Sequence, residues 1–310
     1  MSDPALPPPL PPEPVFVVGY PRSGTTLLQA MLAAQPGVVS FPETHFFGPV
    51  SRHLRLSAEG AVLPECLGAV LEKGGLKTGL PVTPPEAEAL AALAQAGRLT
   101  EKGLFEWFVH RFLRAAGHPD APRTPFRWLE KTPGHVFRMA RIVTLYPDAR
   151  FVHIVRHPLP AVLSRKRHFP GDHDKPYSRL ADRWREAVEA AAAFEASRPE
   201  RVRTVRYEQL AADPRGVVET LADWLGLALD PAWMEKRREL CPTIAHDWET
   251  WKDSVAGPLR NTNAASVKAG PLRERLRIQY RLRKPMAAWG YRPFSPFLQA
   301  CYNAGRRLIG

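Results

Sequence analysis

The sequence predicts an α/β fold, with a P-loop-type parallel β-sheet flanked by helices and carrying a helical insertion. Three observations lead there. Short β-branched runs alternate with segments of helical period, the mark of a parallel sheet with helices on both faces. A glycine-bearing turn separates the first strand from the first helix. The alternation stops over residues 47–125, where helical pieces dominate.

Residues 1–14 are proline-rich and are expected to form a disordered tail. Val15 to Gly19 is a β-branched run that reads as a buried strand. Pro21 to Gly24 is a turn. Thr25 to Ala34 is an apolar helix stopped by Pro36 and Gly37, and Val38 to Phe41 is a second strand. From Phe47 the insertion begins, with a loose loop from Gly74 to Pro85 and an Ala/Leu/Glu-rich segment from Pro85 to Gln95. Phe126 to Leu129 is a strand and Pro133 to Leu145 a helix. Arg150 to Val155 is the strongest strand, followed by a helix over Pro158 to Arg167 with proline at its start. Phe169 to Tyr177 is a polar, solvated loop, and Ser178 caps a helix ending at Ala196. Val202 to Val205 is a strand; Asp213-Pro214 opens a helix closed near Gly226. The C-terminal third is Arg-rich and irregular. It holds a stripe of Leu272, Leu276 and Tyr280 expected to face the core. The organisation is therefore a tail (1–14), one domain (15–295) and a C-terminal segment (296–310), with residues 47–125 on the acceptor side.

Composition narrows the function. Forty-three Lys and Arg against 31 Asp and Glu leave a net charge of +12, which favours an anionic partner. Three scattered cysteines, Cys66, Cys241 and Cys301, form no CxxC, so neither a disulfide framework nor a zinc site is expected. No stretch approaches ~20 apolar residues, and the start lacks a signal-peptide pattern. A soluble protein of a reducing, cytoplasmic compartment is expected, with no metal, no nucleic-acid partner and no transmembrane span.

The chemistry starts at Gly19-Tyr20-Pro21-Arg22-Ser23-Gly24-Thr25-Thr26. A glycine turn between strand and helix presents backbone N–H groups and a helix N-terminus to an anion. Its spacing matches the opening of the nucleotide-binding P-loop, but Thr25 stands where that motif has lysine. No Walker-B aspartate follows the Arg150 strand. A P-loop kinase-like phosphotransferase is thus the alternative, weakened at two positions.

The loop resembles the 5′-phosphosulfate loop of sulfotransferases that use 3′-phosphoadenosine 5′-phosphosulfate (PAPS), with bacterial and tyrosylprotein enzymes the nearest in look. Further segments fall in the family's order: Glu43 in Phe41-Pro42-Glu43-Thr44-His45, Lys131 in Glu130-Lys131-Thr132-Pro133, Arg156 with Ser164, Tyr207 with Asp213-Pro214, and residues 263–270. The resemblance implies that Arg22, Ser23, Gly24, Thr25 and Thr26 bind the phosphosulfate. It implies that Arg156 and Ser164 clamp the 3′-phosphate and that Tyr207 approaches the adenine. Ser254 and Lys268 are implied near the 5′ and 3′ sides, although Ala269 replaces the closing loop's usual aromatic.

The same resemblance implies in-line transfer from PAPS to a hydroxyl, leaving 3′,5′-ADP. Glu43 is the implied base, with His45 its nearest rival, and Lys131 and Arg22 stabilise the transition state. The acceptor is expected to be a hydroxyl-bearing small molecule, carbohydrate or lipid-linked compound. The sequence leaves its identity open, and leaves open the oligomeric state, a homodimer included.

Overall fold

The structure is a computed structural model that describes residues 6–116, 126–244 and 257–309. Five strands make one parallel sheet in the order β2-β3-β1-β4-β5. They are β1 (Val15–Gly19), β2 (Val38–Ser40), β3 (Arg127–Glu130), β4 (Arg150–Val155) and β5 (Val202–Arg206). The inner strands β1 and β4 are covered on both faces, which is why their sequences are largely apolar, whereas the edge strand β5 alternates with arginines. β1 is central and buried along its whole length.

The helices are α1 (Thr25–Ala33), α2 (Pro64–Thr78), α3 (Pro84–Gln95), α4 (Glu101–Ala115), α5 (Met139–Leu145), α6 (Pro158–His168), α7 (Tyr177–Ser197), α8 (Tyr207–Ala212), α9 (Pro214–Leu225), α10 (Trp233–Leu240), α11 (Asn263–Lys268), α12 (Leu272–Arg281), α13 (Arg283–Ala288) and α14 (Pro296–Ile309). The main core packs α4, α6 and α7 on one face around Phe16, Phe105, Trp128, Phe151 and Trp184. The second core, with Val17, Leu28, Met31, Ile154 and Leu221, packs α1 and α9 on the other.

Several expectations need correction. Gly74 to Thr78 forms the last turns of α2 rather than a loop, and Phe108 lies where a Cβ on Gly74 would sit. The helix expected over 133–145 is split: Pro133–Phe137 is a 3₁₀ turn, and α5 starts only at Met139. Helix α7 begins at Tyr177 behind Pro176, with no side-chain cap from Ser178. The described part of the C-terminal third is mainly helical, and α12 buries Ile278 and Gln279 while Leu272 is exposed. Nor is the stretch before β1 free. Leu10 is buried, the Trp128 Nε1–H donates to the Pro11 carbonyl at 2.9 Å, and Glu13 pairs with Arg127.

Among the described residues no helix is long and apolar enough to cross a membrane.

Candidate active site

Every strand ends at the same edge of a parallel sheet, and ligands in such sheets bind beyond the strands' carboxyl ends. Each sequence-selected segment follows one of these ends. Glu43 follows β2, Lys131 follows β3, the glycine loop follows β1, Arg156 follows β4 and Tyr207 follows β5. The strand order therefore lays them out in space as Glu43, Lys131, loop, Arg156, Tyr207. The carboxylate and the aromatic ring stand on opposite sides of the loop.

The loop is tightly constrained. Arg22 has φ of 71° and Gly24 φ of 93°. A non-glycine residue in the left-handed region costs of order 1–3 kcal/mol and persists only where the surroundings enforce it. A Cβ on Gly24 would lie 2.7 Å from Tyr207 Cδ2, and one on Gly19 would lie 2.4 Å from the Ile154 carbonyl oxygen. Gly24 caps α1, and no side chain caps that helix end. Its first N–H groups thus point outward as anion donors. Ser23 is fully buried, and its hydroxyl has no hydrogen-bond partner among the described residues. An orphaned hydroxyl, open helix N–H groups and a glycine cradle fit a phosphate-like group.

Arg156 knits together the side of the loop next to β4 and β5. Its Nη1 donates to the Arg22 carbonyl at 2.8 Å, Nε to Asn263 Oδ1 at 2.7 Å and Nη2 to Thr262 Oγ1 at 3.0 Å. The guanidinium lies 4.3 Å from the Tyr207 ring centroid, a cation–π contact. Burial pulls its pKa down, opposed by Tyr207 and Glu208. Ser164, buried on α6, accepts from Arg22 Nε at 3.1 Å. The structure thus brings Arg22, Arg156, Ser164 and Tyr207 into one contact network. Lys268 is exposed at the end of α11, a helix where a closing loop was expected. No hydrogen bond or ion pair among the described residues joins it to the phosphate loop. Ser254 lies outside the described residues.

On the other side, Glu43 and Lys131 form a salt bridge. Lys131 is fully buried and Glu43 is 8% exposed. Glu43, but not Lys131, lines a cavity of about 480 Å³ that it shares with Arg22, Thr25 and Thr26. His45 Nε2 lies 3.5 Å from Glu43 Oε2. Burial lowers the His45 pKa to about 4, against an opposing pull from Glu43, so the imidazole is neutral and weakly basic at pH 7.

Sequence reasoning missed what holds this pair. Glu130 is fully buried and accepts from Thr44 Oγ1 at 2.9 Å, Thr132 Oγ1 at 2.6 Å, Thr132 N–H at 3.1 Å and His135 Nδ1 at 2.9 Å. The Phe47 N–H donates to His135 Nε2 at 3.2 Å. That nitrogen is therefore unprotonated, and the proton sits on Nδ1. Burial alone would raise the Glu130 pKa, but His135 and the two threonines outweigh it and hold it low. The cluster ties the segment after β2 to the segment after β3, fixing Glu43 and Lys131 against each other. The only sequence signal was a glutamate beside Lys131.

The loop after α6 is exposed at Gly171 and from His173 to Pro176, as expected, and Asp172 is the exception. Asp172 is buried, pairing with Arg165 and with Lys175 at 2.6 Å. It anchors the loop against α6. Among the described residues no group of three His, Cys, Asp or Glu could hold a metal ion.

Comparison with known proteins agrees with this architecture. A model described as "Sulfotransferase family" matches residues 14–231. The omega-hydroxy-beta-dihydromenaquinone-9 sulfotransferase Stf3 of Mycobacterium bovis is 27% identical over 263 residues, 73% of this chain and 66% of that protein. The protein-tyrosine sulfotransferase of Drosophila melanogaster is 28% identical over 226 residues, 70% of this chain and 39% of that protein. The chain thus spans less than two thirds of these relatives' lengths. The sulfotransferase domain from the curacin biosynthetic pathway superposes with a TM-score of 0.53 at 21% identity, covering 89% of this chain and 99% of that one. The sulfotransferase domain of the Synechococcus PCC 7002 olefin synthase gives 0.51 at 22% identity, covering 86% and 97%. These two share the fold.

Proposed function

The chain belongs to the sulfotransferase family, and we propose that it transfers a sulfuryl group from PAPS to an acceptor hydroxyl, with Glu43 as the base. One observation carries this reading. The Glu43 carboxylate and the phosphate-loop residues Arg22, Thr25 and Thr26 line the same cavity, so a proton acceptor and an anion cradle face one space.

When bound, PAPS supplies an activated sulfuryl group and a nucleotide leaving group. The α1 N-terminus, Ser23, Thr25 and Thr26 hold its phosphosulfate, with Arg22 adding a charged fork. Arg156, Ser164 and Tyr207 belong to the nucleotide side. Arg156 already bonds to Asn263 and Thr262, so binding of a 3′-phosphate there exchanges protein acceptors for phosphate oxygens.

Glu43 takes the proton of the acceptor hydroxyl. Its negative charge is thereby cancelled and its hold on Lys131 weakens. The buried ammonium would then be the cation free to stabilise the negative charge growing on the leaving phosphate. The Glu43–Lys131 salt bridge would thus couple proton removal to leaving-group stabilisation. His45 is a poor rival base, because burial keeps its basicity low. The relatives support a hydroxyl acceptor: their names state a hydroxylated menaquinone and protein tyrosine.

The test is Glu43→Gln, which keeps the side chain's size. Turnover measured with labelled PAPS should fall ~10²–10⁴-fold, the usual contribution of a general base. Calorimetric affinity for 3′,5′-ADP should stay within about threefold. Undiminished turnover removes Glu43 from the mechanism, and absent 3′,5′-ADP binding in the wild type removes the donor assignment.

A further inference from the structure

The cavity beside Glu43 carries more positive charge than the donor uses. Arg22, Arg52, Lys77, Arg138, Arg165 and Arg183 line it, and Glu43 is its only carboxylate among the described residues. Arg165 is matched by Asp172 and Arg183 by Glu186. Arg22 lies in the phosphate loop, and the nucleotide-side residues Arg156 and Ser164 do not line this cavity. Arg52, Lys77 and Arg138 are left, and among the described residues none of them makes a salt bridge. Arg52 only donates to His53 Nε2, at 3.1 Å.

These three cations come from separate segments. Arg52 sits on a 3₁₀ turn (Ser51–His53), Lys77 in the last turn of α2, and Arg138 at the junction of the 3₁₀ turn and α5. The first two belong to the insertion. Lys77 is half-buried, and its charge acts on His45, the neighbour of Glu43. Like charges gathered from three segments around one concave space repel, and such a space concentrates anions.

We propose that the acceptor carries an anionic group, a carboxylate, sulfate or phosphate, beside the hydroxyl that reacts, and that Arg52, Lys77 and Arg138 bind it. This inference rests on the reading of the Glu43 cavity as the acceptor side. It names the acceptor's chemical class, which that reading leaves open.

The experiment fills the donor half with saturating 3′,5′-ADP and titrates matched phenols by calorimetry. The probes are 4-hydroxyphenyl phosphate, 4-hydroxybenzoate and its neutral methyl ester. The expected result is at least tenfold tighter binding of an anionic phenol than of the ester, about 1.4 kcal/mol. The phosphate and carboxylate arms show which anion the site prefers. In Arg52→Gln/Lys77→Gln/Arg138→Gln the preference should vanish while 3′,5′-ADP affinity is kept, which also reports that the variant is folded. Equal affinity for all three phenols, or no binding of either anionic one, overturns the inference. So does a preference that survives the triple exchange, because the anion then sits where the sulfuryl group would be. Failure of 3′,5′-ADP to bind is the separate result that overturns the donor reading itself.

Discussion

Replacing Lys131 by methionine should separate stability from catalysis. Lys131 is fully buried and faces Glu43, itself only 8% exposed. Methionine preserves the chain's length and apolar stem, so little packing is lost. What disappears is the counter-charge beside a buried carboxylate. Breaking a buried ion pair in this one-sided way costs about 3–5 kcal/mol, whereas replacing both members is often close to neutral. At about 2.1 cal/mol/K per residue of unfolding entropy, a chain of 310 residues loses roughly 1.5 °C of Tm per kcal/mol. Lys131→Met should therefore lower Tm by about 5–8 °C. The double variant Lys131→Met/Glu43→Gln should recover most of that loss, because no charge is left behind. Activity should not recover, since base and ammonium are both gone. Differential scanning calorimetry reads the first quantity and labelled-sulfate transfer the second. A single variant with unchanged Tm, or a double variant no more stable than the single, would refute the argument that the pair's charges are held in balance.

Three further outcomes follow from the geometry. Gly24→Ala combines φ of 93° with a Cβ 2.7 Å from the Tyr207 ring; it should abolish calorimetric 3′,5′-ADP binding, and affinity within threefold of wild type would mean the loop tolerates another conformation. Arg156→Ala should weaken 3′,5′-ADP by ~100-fold, or about 2.8 kcal/mol, and should loosen the segment after residue 260 that Arg156 ties to the loop, read as faster proteolysis there. Burial lowers the pKa of His153 and His157 to about 4. An unfolded chain binds their protons first as pH falls, so their contribution is full above about 6.5 and fades toward 4. Each should remove roughly 2 kcal/mol by pH 5. Urea titrations at pH 7 and 5 should show that drop, and His153→Gln should reduce it.

Much of the fold was legible in the chain because parallel strands announce themselves. Val15–Gly19 and Phe151–Val155 are buried on both faces, so both segments are largely apolar, and both strands were bounded correctly. Asp213 and Gly226 cap α9 as their chemistry requires, a carboxylate accepting from the Gly216 N–H and a glycine in the left-handed region. Helix ends lacking such signals went astray. Pro133 opens a 3₁₀ turn, and α5 starts six residues later because nothing local marks that break. Of the helices after residue 257, only α12 left a signal, the stripe of Leu272, Leu276 and Tyr280; α11 and α13 are too short, at six residues each, to show a period.

For the site, the sequence by itself determined the local form of the candidate anion cradle. A strand, a glycine turn and a helix with an uncapped N-terminus are local, and local order carries their chemistry. It also supplied the candidates that follow the other strands. Their spatial order, with Glu43 and Tyr207 on opposite sides of the loop, was decided by the pairing β2-β3-β1-β4-β5. Glu43 and Lys131 are 88 residues apart, and no local rule joins them. Glu130 and His135 looked like ordinary polar residues until burial removed water and left them each other as partners. The surplus charge around Glu43 likewise depends on three segments meeting at one cavity. A chain sets which charges exist, and only packing sets which of them are left without an opposite.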